Sequence, residues 1–325
     1  MTSVSVIIPA YNSASYIEGS VRAAMGQTVT DIEIIVIDDG STDDTRSIAS
    51  ALASKDRRVR VVSNKHQGVE VARNLGAETA RGKWVAFLDA DDLWDRAKLE
   101  FQLRYLEAHP DLAAVSSFGR YFSGSNVFFG VIEIGPVTAE EYERLRQERK
   151  PMWMLTPSVV CRRSALLELG GFDPSFRGAG EDLDLWTRLG EQHPIRAMNQ
   201  HLVYVRISGK SASMEKFSAI QMNTLRVRIN AELRGIGSAA LTAEEFQAFV
   251  SAIDRETLTR WARNWRGGFH YRQAGYSYLE GRYLACIMSV LKSLLLAPRP
   301  VFRKLNSQVF PGIKDHITRR WGNGA

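Results

Sequence analysis

The chain has 325 residues, 45% hydrophobic and 24% charged, with a formal net charge of +6 and a pI of about 9.3. That composition excludes a disordered or collagen-like chain, and the length suits one large α/β domain with a smaller appendage. The modest basic excess fits an anionic partner, whether nucleotide phosphates, an anionic membrane surface or nucleic acid, and does not choose among them.

Thr2 leads straight into an apolar strand, Val4 to Pro9, with no basic region and no cleavage site, so no secretory leader is expected. Ser13 is placed to cap a helix running to about Gln27, with Tyr16, Ile17, Val21 and Ala24 on one face. Ile32 to Ile37 is a near-continuous branched run, as in a strand buried on both faces. Helix at 42–54, strand at 59–63, helix at 68–80, strand at 84–88, helix at 95–108 and strand at 112–117 follow. Repeated β-α-β units predict a doubly wound, mostly parallel sheet, which binds ligands at the carboxyl ends of its strands. The middle is mixed: strands at 127–134, 158–161 and 202–207, a turn at Gly170-Gly171-Phe172-Asp173, and a helix at 181–191. From about Met214 the pattern is helical, which divides the chain into 1–213 and a helical region 214–325. Within the first part, the nucleotide-binding half is 1–118 and the acceptor-side half 119–213.

Carboxylates stand where such a sheet would use them. Asp38-Asp39-Gly40-Ser41-Thr42-Asp43 ends a buried strand, and Gly40 permits a sharp turn. Capping of the next helix by Ser41, Thr42 or Asp43 is the competing reading, and it explains one acid but not two. Asp89-Ala90-Asp91-Asp92 follows another strand. Asp89 and Asp91 there suit a hard divalent cation, which takes one or two carboxylates plus substrate phosphates. Gly178-Ala179-Gly180-Glu181-Asp182 enters a helix. Its acids either complement the helix dipole or supply a general base, ionised at neutral pH by that dipole. Arg73 reaches a nucleotide from its helix or is simply solvated.

Rival chemistries lack their residues. No GxGxxG follows the first strand, and no GxSxG or HExxH is present. Gly76 to Lys83 has one residue too many for a phosphate-binding Walker loop, and Trp84 stands where Ser or Thr is required. His66 reads as a surface residue. Cys161 and Cys286, each in an apolar run, read as reduced thiols, and no Cys/His cluster offers a zinc site. The aromatics Trp261, Trp265, Phe269, Tyr271, Tyr276 and Tyr278 recur at helical spacing, favouring core packing over a nucleic-acid stacking platform.

Together these segments resemble the family 2 inverting glycosyltransferases, which have the GT-A fold. The resemblance covers about residues 1–210 and rests on five loose motifs in the right order: Ser5 to Asn12, Asp38 to Asp43, Ala72-Arg73-Asn74-Leu75-Gly76, Asp89 to Asp92, and Gly170 to Asp173 followed by Glu181-Asp182. It implies a nucleotide-sugar donor, UDP-linked by family habit. Pro9, Tyr11, Asp38 and Asp39 would surround its base and ribose, and Arg73 would contact the same nucleotide. Asp89 would hold ribose or a metal-bound water, and Ala90 beside it would belong to the same nucleotide-sugar site. Asp91 would ligate Mn²⁺ or Mg²⁺, with Asp89 beside it. Asp182 would be the general base, assisted by Glu181. Ser208 stands where the family often has His, with Arg206 or Lys210 as substitutes for a pyrophosphate contact. The implied acceptor is a glycan or glycolipid in polysaccharide assembly. A nucleotidyltransferase and a non-catalytic nucleotide-sugar-binding protein are the alternatives. A basic loop after the first strand, typical of the former, is missing, and the retained Asp89, Asp91 and Asp182 disfavour the latter.

The C-terminal pattern over 273–298 puts Tyr276, Leu279, Tyr283 and Ile287 on one helical face. Arg299, Arg303, Lys304, Lys314, Arg319 and Arg320 follow it. A helical subdomain on the catalytic core is favoured over a helix lying on anionic lipid. The longest apolar run, Tyr283 to Pro298, is short for a membrane span. The expected location is cytoplasmic, with peripheral contact at the inner face of the cell membrane through the basic tail, and without nucleic acid.

Overall fold

Val4–Ala10 (β1) and Ile32–Asp38 (β2) are buried along their whole lengths, as branched apolar runs are when both faces of a sheet are covered. They pair in parallel with Ala10 opposite Asp38. Val59–Ser63 (β3) adds to β2, and Trp84–Phe87 (β4) to the other side of β1 with Ile7 opposite Phe87. All four strands therefore end on one side, and the acids at 38, 39, 89 and 91 emerge there. The computed structural model describes residues 3–124, 128–207, 215–279 and 281–298.

The connecting helices are Ile17–Met25 (α1), Thr45–Ala53 (α2) and Val69–Thr79 (α3). Ser13 does not cap α1 with its hydroxyl. Its carbonyl accepts from the Tyr16 and Ile17 N–H groups, each at 2.9 Å, and the helix begins three residues later than expected. Asp43 rather than Ser41 or Thr42 meets the start of α2, accepting the Thr45 N–H at 3.0 Å.

The sheet then becomes mixed. Leu93–Trp94 (β5), Ala114–Phe122 (β6), Phe128–Ile132 (β7), Val160–Arg162 (β8) and Ile195–Arg206 (β9) give the order β3-β2-β1-β4-β8-β6-β9-β5, with β7 on β6. β8 is antiparallel to β4 and β6, while β6 and β9 are parallel. β9 is longer than the expected 202–207, because polar residues such as Asn199 and Gln200 interrupt its apolar pattern. Lys98–Ala108 (α4), Ala139–Gln147 (α5), Arg163–Glu168 (α6) and Glu181–Gln192 (α7) complete the layers. Apolar clusters line both sheet faces, one around Val6, Ile34 and Leu99, the other around Ile7, Phe87 and Trp186.

By contacts, residues 1–207 and 223–243 form one unit, and 208–222 with 244–325 another. The division expected at 213/214 ignores residues 223–235 of Phe217–Gly235 (α8), which belong to the first unit. Polar side chains hold them there: Asn223 donates to Ala179 O at 2.7 Å, and Arg234 pairs with Glu191 at 2.6 Å. The second unit holds Ala243–Ser251 (α9, from Glu244 on), Arg255–Leu279 (α10) and Tyr283–Leu296 (α11). Gly281, at φ +72°, separates α10 from α11, so the continuous helix expected over 273–298 is a hairpin. The Arg282 N–H closes the end of α10 on Ser277 O at 2.8 Å. Trp261, Trp265, Phe269, Tyr271 and Tyr276 are half-buried, but Tyr278 is exposed and does not pack in a core. No helix among the described residues is long and apolar enough to cross a membrane. Cys161 is buried and Cys286 half-buried, both free; burial pushes the Cys161 thiol up to about 12.

Candidate active site

Three loops are laced together at the ends of β1, β2 and β3. Asn12 Oδ1 accepts the Thr42 N–H at 2.9 Å, and the Ser41 hydroxyl accepts the Asn12 N–H at 3.0 Å. Asp38 and Asp39 are buried. Asp38 Oδ1 accepts from the Ser41 N–H. Asp39 accepts from Asn64 Nδ2 at 2.7 Å and from the Gln67 and Gly68 N–H groups, each at 2.9 Å. Three donors on one carboxylate offset the cost of burying its charge. Gly40 sits at φ +77°, where a Cβ would crowd the backbone of His66. The half-exposed Tyr11 ring stacks on His66 with centroids 4.0 Å apart. Pro9 is buried inside β1. These residues form a polar shelf with an aromatic wall.

Gly68 also starts α3, so Asp39 fixes the helix that carries Arg73. Arg73 is buried. Its Nη1 donates to Glu181 at 2.9 Å and its Nη2 to Asp89 at 2.9 Å. Phe172 lies under the guanidinium, 5.2 Å away. The flanking charges of Asp89 and Glu181 outweigh burial and hold Arg73 firmly protonated. Glu70, one turn earlier, accepts the Gly178 N–H and is raised by burial. Helix α3 thus joins the end of β4 to the glycine-rich entry of α7.

Asp182 is the next residue on α7. Its Oδ1 accepts the Leu183 N–H at 2.7 Å, and its Oδ2 accepts the Thr156 hydroxyl at 3.3 Å. Burial and then the Glu181 charge push its carboxyl up to about 6. Desolvation outweighs the helix terminus and lifts it above the ordinary carboxylate range. At neutral pH it is still mostly ionised. Asp91 is also raised to about 6, by burial and then by Asp89. Ala90 is buried, its carbonyl accepting from Ser20 at 2.8 Å.

Thr156 and Trp186, which no motif marked, and Asp92 and Arg206 complete the site. Thr156 is oriented by the Trp186 indole N–H, which donates to its hydroxyl at 3.0 Å. Asp92 is buried and accepts the Arg206 N–H at 2.8 Å; Arg206 Nε donates to Asp91 O at 2.9 Å. The Arg206 guanidinium lies over Tyr16 and Phe122. Pro157 beside Thr156 marks a turn, but no local signal ties that turn to Asp182. Ser208 and Lys210 lie outside the described residues, as does the basic tail from Arg299.

This sheet, with acids at the ends of β2 and β4 and at the start of α7, has the GT-A type of fold. The Staphylococcus aureus TarS 1–349 structure, solved in complex with UDP-GlcNAc, shares the fold with a TM-score of 0.57 and 20% identity, over 94% of this chain and 92% of that one. Residues 5–170 match the sequence profile of Glycosyl transferase family 2, and the chain belongs to that family. The Escherichia coli UDP-Glc:alpha-D-GlcNAc-diphosphoundecaprenol beta-1,3-glucosyltransferase WfaP is 32% identical over 232 residues, covering 70% of this chain and 86% of WfaP. An uncharacterized Rickettsia felis glycosyltransferase is 34% identical over 221 residues, 64% of this chain but 33% of the relative, so the chain spans about a third of that protein's length.

Proposed function

We propose that the protein transfers a sugar, with inversion, from a UDP-sugar to a hydroxyl of a glycan or lipid-linked glycan in cell-surface polysaccharide assembly. Asp182 acts as base. The observation that carries this reading is the Arg73 bridge, which ties Asp89 to the helix start bearing Glu181 and Asp182. Tyr11, Asp38 and Asp39 face the nucleotide, in keeping with the shelf they form. Asp182 takes the proton from the acceptor hydroxyl as its oxygen attacks the anomeric carbon opposite the leaving diphosphate; Glu181 and Thr156 orient the base. One displacement inverts the centre, and no covalent intermediate forms.

Asp89 and Asp91 are hard oxygen donors; burial and then the Asp89 charge raise Asp91, and a divalent cation relieves the second of these. Among the described residues no three His, Cys, Asp or Glu side chains form a ready cage. Mg²⁺ or Mn²⁺ held by one or two carboxylates, water and phosphate oxygens fits such a donor set. When bound it neutralises charge on the leaving diphosphate. Arg73 then holds Asp89 in place rather than touching the nucleotide. The lipid-linked acceptor follows the WfaP name, and the work site is the cytoplasmic face of a membrane, met through the basic C-terminal region.

The test is transfer and hydrolysis of UDP-sugars with and without Mn²⁺, for the wild type and Asp91→Ala. The wild type turns over with Mn²⁺, and Asp91→Ala loses metal-dependent donor binding. Turnover independent of added metal and untouched by Asp91→Ala would remove the metal assignment.

A further inference from the structure

Helix α11 is packed inside out. Tyr283, Leu284, Ile287, Met288, Leu291 and Leu295 are all at least 50% exposed, with Leu284 at 82% and Leu295 at 83%. At 3.6 residues per turn these six fall in one continuous stripe. The opposite side carries Ser289 and Ser293, both buried. The Ser293 hydroxyl donates to Gly267 O at 2.7 Å, and a Cβ on Gly267 would run into Ala297. Small residues thus let α10 and α11 approach closely, while the large apolar side chains face out. Water drives the reverse arrangement, so a stripe of this size marks a surface with a partner.

The charge of the same region says which partner. Residues 257–325 carry twelve arginines and lysines against two acids, Glu280 and Asp315, whereas the chain as a whole is only +6. The preceding residues are therefore net acidic, and the basic excess of the protein lies within residues 257–325 of the sequence. Among the described residues, Arg260, Arg263, Arg266, Arg272 and Lys292 are exposed. The exposed Tyr278 and Tyr283, 5.9 Å apart at the hairpin tip, suit a lipid headgroup boundary. At 14 residues the helix is about 21 Å long, too short to span a bilayer core of about 30 Å.

We propose that the Tyr283–Leu296 helix lies in the plane of an anionic membrane, with the stripe from Tyr283 to Leu295 inserted among the acyl chains and the surrounding arginines on lipid phosphates. This deepens the membrane contact proposed above by giving it an apolar surface that does not depend on the tail after Pro298.

The experiment is vesicle flotation of the full chain with phosphatidylcholine alone and with an equimolar phosphatidylcholine–phosphatidylglycerol mixture. The wild type should bind the anionic vesicles about tenfold more tightly than the neutral ones, and Leu284→Ser/Leu291→Ser/Leu295→Ser should lose about tenfold of that binding. Circular dichroism checks that the variant is folded, and Ile287→Ser/Met288→Ser asks the same question if it is not. Equal binding by folded variants and wild type overturns the proposal. So does a wild-type dimer in lipid-free buffer that the triple variant turns into a monomer, since a second copy then covers the stripe. Donor turnover in lipid-free solution is read separately. Turnover without vesicle binding overturns the membrane surface alone, and vesicle binding without turnover overturns the enzymatic reading alone.

Discussion

Arg73 and Glu181, 108 residues apart in the chain, meet at 2.9 Å through Nη1 and Oε1, with the second arm of the same guanidinium on Asp89. One planar cation thereby sets the spacing between the strand end proposed to face the diphosphate and the helix proposed to carry the base. Removing it leaves a buried carboxylate uncompensated, which costs about 3–5 kcal/mol for a buried pair. Arg73→Ala should lower the unfolding free energy read from urea denaturation by that order and abolish transfer. Arg73→Lys retains the charge but not the two-armed reach, so stability should recover more than activity.

Asp182→Asn should reduce transfer by about 10²–10⁴-fold, the usual contribution of a positioned base. Donor affinity, read by calorimetry with UDP, should be unchanged. The raised carboxyl at about 6 also fixes the pH profile. The base is protonated below that value, so kcat/KM should rise through pH 6 and level off near 7. The sign for stability is opposite. A carboxyl raised above its unfolded value favours the folded state when protonated, so its contribution is lost as pH climbs through 6. A rate that stays level from pH 5 to 8 would contradict the assignment of Asp182 as base.

Asn74 clamps the turn that precedes the loop into α7. Its Nδ2 donates to Phe172 O and its Oδ1 accepts the Phe172 N–H, both at 2.8 Å. Arg188 secures the same turn from α7, donating to Gly171 O at 2.7 Å and Leu169 O at 2.9 Å. Gly171 is at φ +71°, and a Cβ there runs into the Asn74 carboxamide. Asn74→Ala should cost about 1–3 kcal/mol through unpaired backbone groups. Gly171→Ala should destabilise through both strain and clash. The double variant should cost less than the sum, because only the clash disappears. Urea midpoints of the three proteins measure this coupling.

Lys98 is fully buried, with Nζ 2.7 Å from Gln102 Oε1 and 3.8 Å from the centroid of the Trp94 ring. Burial drives its pKa well below the usual lysine range. Unfolding then takes up a proton, so this residue makes stability rise with pH up to its unfolded value. Lys98→Met keeps the volume and removes the charge. It should raise stability at pH 7 and flatten the rise with pH below the unfolded lysine value, measured by thermal unfolding at several pH values.

The strands β1, β2 and β4 were legible because each is a short, mainly apolar run that the sheet buries almost throughout, and β3, only partly buried, was legible from its valines. The acids at the ends of β2 and β4 were legible because charge closes each apolar run, although Asp38, Asp39 and Asp92 are themselves buried and held by donors. The linear pattern did not show that β8 enters antiparallel between β4 and β6, since register depends on partners far away in the chain. It also gave no hint that Arg73 would be spent on Asp89 and Glu181, that Thr156 would reach Asp182, or that residues 223–235 would join the first unit. Composition and local periodicity determined which segments fold and which side chains have the chemistry. The tertiary structure alone decided which charges meet, and burial at those meetings, rather than local helix position, sets the proton affinity of Asp182.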